Sequence, residues 1–112
     1  MGSQSGGHGV TVDRWDLTNV PVGASINFRY DTYTIPDNFV IEYDDEEFRT
    51  GWVGDFWHAW FNPGLYPGGV VSGPEGERAG VFTKVEGQNE LVVTVFGPDR
   101  NTAWNYSLSC TE

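Results

Sequence analysis

Residues 24–30 read ASINFRY, and this stretch decides the fold. Its apolar residues occupy every second position, and the polar residues Ser25, Asn27 and Arg29 lie between them. Successive side chains of a β-strand point to opposite faces, so this period of two predicts a strand with one apolar and one polar face. We expect the apolar face to pack into a core and the polar face to lie in solvent.

The same alternation recurs along most of the chain, in short segments separated by turn residues. Leu91–Phe96 is apolar on both faces, which is typical of a central strand. Many short strands between turn signals predict an all-β fold, an antiparallel β-sandwich that is jelly-roll-like, with seven or eight strands. Besides residues 24–30, the predicted strands are Val10–Trp15, Phe39–Tyr43, Phe48–Val53, Gly80–Val85, Leu91–Phe96 and Thr102–Cys110.

Composition and charge exclude several classes of protein. The 112 residues suffice for one domain, and 16 acidic against 6 basic residues give a formal net charge of −10. Such a chain would repel the phosphates of a nucleic acid. No apolar run reaches the roughly 18 residues of a membrane span. The aromatic content of 15% argues against disorder and exceeds what one small core can hold.

The two ends of the chain carry no functional pattern. Met1–Gly9 reads MGSQSGGHG, and we predict that it is a flexible tail or a cloning scar outside the single domain of residues 10–112. Cys110 is the only cysteine, so no disulfide forms within the chain. We expect its side chain to be buried as a small apolar group near the end of the last strand.

One stretch, residues 52–72, fits no strand period. It reads WVGDFWHAWFNPGLYPGGVVS and is rich in aromatic residues, glycine and proline. A loop of this length inside a compact domain is uncommon and is usually functional or disordered. Its aromatic residues argue against disorder, so we interpret it as a functional loop.

This loop carries the residue types that bind sugars. Aromatic faces pack against the C–H groups of a sugar, while nearby polar side chains take its hydroxyls. Two alternatives stay open, in which the rings fill a second small core or mediate self-association. We expect Trp52 and Phe56 to belong to the core. The predicted ligand-binding residues are Trp57, Trp60, Phe61, Tyr66, Asp55, His58 and Asn62.

The acidic residues concentrate in one region, with eight of the sixteen between Asp31 and Asp55. Calcium takes oxygen ligands from carboxylates and loop carbonyls. Asp31 and Asp37 flank a proline-containing link between two strands, so we predict calcium as a cofactor with these two residues as metal ligands. In the alternative interpretation, both carboxylates cap backbone N–H groups of a turn. Asp44–Glu47 is predicted to be a solvated hairpin turn.

Catalytic patterns are weak, and we expect the protein not to be an enzyme. His58 is the only histidine of the predicted domain, so no Ser-His-Asp set is convincing. Pro67–Gly69 lacks the helix and the lysine that follow a phosphate-binding loop. Mimicry of nucleic acid by the acidic surface is a further interpretation, but arginines interrupt any continuous acidic stripe.

Two segments resemble secreted bacterial and phage-associated β-sandwich modules. Residues 30–43, YDTYTIPDNFVIEY, followed by TGWVG at 50–54, are similar to one motif of these modules. Residues 97–110, GPDRNTAWNYSLSC, are similar to their closing motif. The chain departs from the pattern in two places, because Asp44–Glu47 replaces an Asp-Gly turn and a long aromatic loop replaces a short segment. The resemblance implies a module appended to enzymes, adhesins or tail proteins that binds glycans or other surfaces, in some members with calcium.

These observations together predict a non-catalytic binding module. We expect it to recognise carbohydrate or another cell-surface ligand through the loop Gly54–Gly69, with calcium assisting, outside the cell or on a virion or cell surface. The alternative is a structural or assembly protein, such as a phage tail or capsid decoration or an adhesin spacer. In that alternative the same loop would contact other domains of a parent protein or a second copy of the chain.

Overall fold

The computed structural model describes residues 1–112, apart from the side chain of Ser72. One short helix, α1 (His58–Phe61), and a 3₁₀ turn at Pro63–Leu65 interrupt the strands. Within the described residues, no helix has the length and apolar character needed to cross a membrane. The strands are β1 (Gly2–Gly6), β2 (Gly9–Asp16), β3 (Ser25–Asp31), β4 (Asp37–Tyr43), β5 (Glu46–Val53), β6 (Val70–Ser72), β7 (Glu75–Thr83), β8 (Glu90–Gly97) and β9 (Trp104–Thr111).

The strands form two sheets that pack as a sandwich, with the orders β1-β9-β3-β7 and β2-β8-β4-β5-β6. The antiparallel pairs are nested, since β4 pairs with β5, β3 with β7, β2 with β8 and β1 with β9. This nesting of early strands with late strands is the connectivity of a jelly roll. The predicted β-sandwich is confirmed, with nine strands rather than seven or eight and with one parallel pair, β5 with β6.

The core lies between the inner faces of the two sheets. Ile26 and Phe28 of β3 face Phe39 and Ile41 of β4, and all four side chains are fully buried. The rings of Phe28 and Phe39 meet edge to face with centroids 5.6 Å apart. The alternation in residues 24–30 therefore placed the correct residues inside. β8 lies between β2 and β4, as predicted for a strand that is apolar on both faces.

The N-terminal segment is part of the sandwich. β1 pairs along its whole length with β9, so the prediction of a tail outside the fold is wrong for Gly2–Gly6. The glycines that suggested a tail allow the strand to lie close to the core rings. A Cβ on Gly6 would collide with the ring of Trp104. The Trp104 indole N–H also donates to the Gly7 carbonyl at 3.3 Å.

The acidic hairpin between β4 and β5 is tighter than the sequence suggested. Asp44 and Asp45 have φ values of 48° and 63°, so both central residues of the turn are left-handed. This is the conformation of a two-residue type I′ turn, and aspartate tolerates it better than most residues. Glu46 and Glu47 already belong to β5. All four acidic side chains are exposed, which confirms a solvated hairpin turn.

Cys110 is exposed, so the expectation of a buried thiol is wrong. Burial along β9 alternates as far as Leu108 and then stops. The last residues of the strand continue past the core, and the period of two alone does not reveal where a core ends.

Candidate binding site

The aromatic loop begins at the end of the sandwich where β5 stops. Gly54 lies directly against Pro36, and a Cβ on Gly54 would be 2.6 Å from the Cα of that proline. The next backbone N–H, that of Asp55, donates to the Thr34 carbonyl at 2.8 Å. Both contacts are with the link between β3 and β4. The start of the loop is therefore attached to the folded domain.

Four rings of this loop project into solvent around α1. Phe56 and Trp57 are 61% and 42% exposed, and Trp60 and Phe61 are each 72% exposed. Residues four apart are neighbours on a helix surface, and here they pair edge to face. The ring centroids of Phe56 and Trp60 are 5.2 Å apart, and those of Trp57 and Phe61 are 5.7 Å apart. We name these four residues the α1 cluster.

Phe56 is a correction to the sequence analysis, which expected it in the core. Its place in the α1 cluster follows from its spacing of four residues to Trp60. A helix of only four residues gives too short a period to detect in advance. Trp52 is half-buried, and its indole N–H donates to the Pro67 carbonyl at 3.1 Å.

Two of the predicted ligand-binding residues lie beneath the loop. Tyr66 is 2% exposed and packs edge to face against Trp52, with centroids 5.5 Å apart. His58 is 8% exposed and stacks on Trp57 at 3.8 Å. A bound ligand could reach neither ring in this arrangement. The loop therefore forms a small core of its own and also displays an exposed surface.

The two remaining polar residues of the prediction stay near the α1 cluster. Asp55 borders a cavity of about 300 Å³ that it shares with Phe56, Val70 and Val71. Asn62 is exposed directly after α1, where its backbone N–H donates to the His58 carbonyl at 3.0 Å. The site thus combines exposed rings with one carboxylate and one amide.

Asp31 adopts the turn role that the sequence analysis left as the alternative. Its Oδ1 accepts a hydrogen bond from the Tyr33 N–H at 2.7 Å, in a link where Tyr33 has a φ of 60°. The carboxylate borders an open polar groove of about 500 Å³ on the outer face of the sheet, beside Arg29 and Glu75. The capping contact accounts for Asp31 without a metal.

Asp37 has a different environment. It is 0% exposed, and its Oδ1 accepts a hydrogen bond from the Thr102 hydroxyl at 2.6 Å. Its Oδ2 has no hydrogen-bond partner among the described groups. Burial, with a smaller contribution from the charge of Asp99, raises the pKa of Asp37 to about 7, although the Thr102 bond opposes the shift.

A metal centre built from side chains alone is absent from the described part of the chain. Within it, no three His, Cys, Asp or Glu side chains form a group that could hold a metal ion. A cation at Asp37 would therefore need backbone or water oxygens as well, which calcium accepts. Neither the hydrogen bond from Thr102 to Asp37 nor the effect of the Asp99 charge on Asp37 was predicted, because both depend on the pairing of distant strands.

Similarity to known proteins adds no constraint on the function. No family model, curated protein or solved structure matches the chain. A function is therefore inferred from the exposed α1 cluster.

Proposed function

We propose that the protein is a non-catalytic binding module that recognises carbohydrate on a cell or virion surface, outside the cell, through the α1 cluster. The observation that carries this proposal is the exposure of four aromatic rings, 42% to 72% each, around one helical turn. Large apolar side chains grouped on a surface usually mark a binding site.

The arrangement of the rings supports a sugar as the ligand. Edge-to-face pairs hold each ring in a fixed orientation, so the cluster loses little side-chain freedom on binding. Aromatic rings offer flat apolar faces to the C–H groups of a sugar. Asp55 and Asn62 supply the polar groups that would bond the hydroxyls.

The net charge of the chain limits which glycans we expect to bind. A net charge of −10 repels sulfated or uronic polymers at a distance. We therefore expect neutral or amino-bearing polysaccharides as ligands.

A pull-down with insoluble and soluble polysaccharides tests the proposal. We expect Trp60→Ala and Trp57→Ala each to weaken retention by about fivefold or more, taking as a guide the roughly 1–3 kcal/mol that an aromatic side chain contributes when a nucleic-acid base stacks on it. Val22→Ala is the matched control, because Val22 is also an exposed apolar residue at 62% but lies before β3, at the other end of the sandwich. Binding that survives both tryptophan substitutions would refute the role of the cluster.

The same exposed rings favour one second candidate, a structural or assembly protein. There the α1 cluster would be buried against a neighbouring chain, as apolar patches often are. Analytical ultracentrifugation separates the two candidates. A monomer with tryptophans open to acrylamide quenching favours glycan binding, whereas a stable oligomer with shielded tryptophans favours assembly.

A further inference from the structure

A cavity of about 300 Å³ lies between the start of the aromatic loop and β6, beside the α1 cluster. Phe56, Val70 and Val71 give it apolar walls, and Asp55 is the one polar side chain among the described residues that line it. Phe56 also belongs to the α1 cluster, where its ring centroid is 5.2 Å from that of Trp60. The cavity and the exposed rings therefore form one continuous surface.

The walls of this cavity are held by contacts with the sandwich. Val71 is 59% exposed, yet it lies directly over β5, since a Cβ on Gly51 would be 2.5 Å from Val71 Cγ2. At the start of the loop, the Asp55 N–H donates to the Thr34 carbonyl at 2.8 Å. A cavity whose walls are already in place loses little conformational freedom when a ligand binds.

The lining favours a chemical group that is apolar at one end and donates a hydrogen bond at the other. Apolar walls gain free energy when they cover a methyl group. An ionised carboxylate only accepts hydrogen bonds, so the ligand must supply the donor for Asp55. An ammonium group would lose hydration against Phe56 and Val71, and a hydroxyl group would leave these walls uncovered. An acetamido group has both features, an amide N–H and a methyl group.

The size of the cavity fits a single substituent of a sugar. Its volume of about 300 Å³ is near the lower end of the range for ligand pockets. The pyranose ring itself needs a flat apolar face, and Trp60 offers one at 72% exposure. An N-acetylated sugar is neutral, so the net charge of −10 does not repel it.

We propose that the α1 cluster and this cavity bind an N-acetylated amino sugar, with the acetamido group in the cavity and the sugar ring against Trp60. The inference rests on the proposed function and narrows its ligand to one class of glycan. Asp55 accepts the hydrogen bond of the amide N–H. Phe56 and Val71 contact the methyl group.

Three sugar polymers with the same β-1,4 backbone test this specificity, because they differ only in the group at C2. Chitin carries an acetamido group, chitosan an amino group and cellulose a hydroxyl group. Isothermal titration with soluble oligomers of equal length avoids differences between solid surfaces. We expect the acetylated oligomer to bind about tenfold or more tightly than the cellulose oligomer, since one charged hydrogen bond and one buried methyl group distinguish them.

The amino oligomer separates local recognition from attraction by the net charge. We measure it in about 1 M sodium chloride, where screening acts over only about 3 Å. The acetylated oligomer should bind more tightly than the amino oligomer there. Equal affinities for the acetylated and cellulose oligomers, or tighter binding of the amino oligomer in high salt, overturn the inference.

Two variants test whether the cavity carries the preference. Asp55→Ala removes the acceptor and should abolish most of the preference for the acetylated over the cellulose oligomer. Val71→Thr keeps the size of the side chain, and its hydroxyl should reduce the preference by about threefold. Val12→Thr is the matched control, because Val12 is 52% exposed in β2, at the opposite edge of the same sheet. An unchanged preference in both cavity variants overturns the site. If Asp55→Ala does not fold, Val71→Thr decides, because Val71 is exposed.

Methyl resonances of the valines locate the bound oligomer directly. The acetylated oligomer should shift the resonances of Val70 and Val71 and leave those of Val12 unchanged. Binding without a shift at Val70 or Val71 places the acetamido group elsewhere and overturns the inference.

Failure of this inference is distinguishable from failure of the proposed function. If the acetylated and cellulose oligomers bind equally and Trp60→Ala weakens both, the acetamido specificity is overturned and the proposed function stands. If no oligomer or polysaccharide binds, both are overturned.

Discussion

At the scale of single residues, Asp37 dominates the expected response to pH. Burial raises the pKa of Asp37 from its ordinary value of 3.8 to about 7. The native state therefore retains a proton that the unfolded chain releases between these two values. Stability should fall as the pH rises from about 4 to about 7 and should then level off, by up to about 4 kcal/mol in total.

Urea unfolding in EDTA at pH 5 and pH 8 measures this loss. Asp37→Asn removes the titration and keeps the size of the side chain, so the difference between the two proteins isolates Asp37 from all other groups. We expect the gain in stability of the variant over the wild type to be larger at pH 8 than at pH 5, because only part of the loss has occurred at pH 5. Parallel pH profiles for the two proteins would contradict the prediction.

At the scale of elements, β1 depends on the absence of a side chain at Gly6. A Cβ there would collide with the buried ring of Trp104, so Gly6→Val should destabilise the domain by about 1–3 kcal/mol. Ser5→Val is the matched control, since Ser5 is exposed in the same strand, and its effect should stay within about 0.5 kcal/mol. Urea unfolding at constant pH compares them. Equal losses of stability in Gly6→Val and Ser5→Val would mean that β1 contributes little to the core.

The elements also show how far a sequence pattern predicts this fold. The period of two located β3, β4, β8 and the other strands whose apolar residues enter the core. In these strands every second side chain faces the core, so the apolar positions and the buried positions coincide. β1 consists of glycine, serine and glutamine, so its pairing with β9 leaves no apolar pattern to detect. β6 spans three residues and α1 spans four, which is shorter than any period can resolve.

At the scale of the whole molecule, the candidate site is the part that sequence predicted least completely. The aromatic loop was identified by its composition, yet composition cannot divide rings between surface and interior. Tyr66 is buried and Phe56 is exposed in the α1 cluster, and nothing in the composition of the loop distinguishes the two. Thr102 donates a hydrogen bond to Asp37, although the two residues are far apart in the chain, because β4 and β8 are neighbours.

The net negative charge is a second property of the whole molecule, and few of the described acidic side chains have a cationic partner. Lys84, the only lysine, is buried and donates to the Leu17 and Val20 carbonyls at 2.8 and 3.0 Å. The two ion pairs among the described residues, Arg14–Glu90 and Arg49–Glu47, are both exposed and contribute little. Repulsion among the acidic residues is therefore expected to lower the stability of the folded state.

This repulsion should make stability depend on salt in a local and testable way. Glu42 and Glu47 are directly opposite each other in the β4–β5 ladder, and like charges in that position are destabilising. In EDTA at low ionic strength, Glu42→Gln should raise stability by about 0.2–1 kcal/mol. The gain should shrink at about 1 M sodium chloride, where screening acts over only about 3 Å. Glu90→Gln, which removes one partner of an ion pair, is the control and should give no gain. A gain for Glu42→Gln that is independent of salt would show that packing, rather than charge, accounts for it.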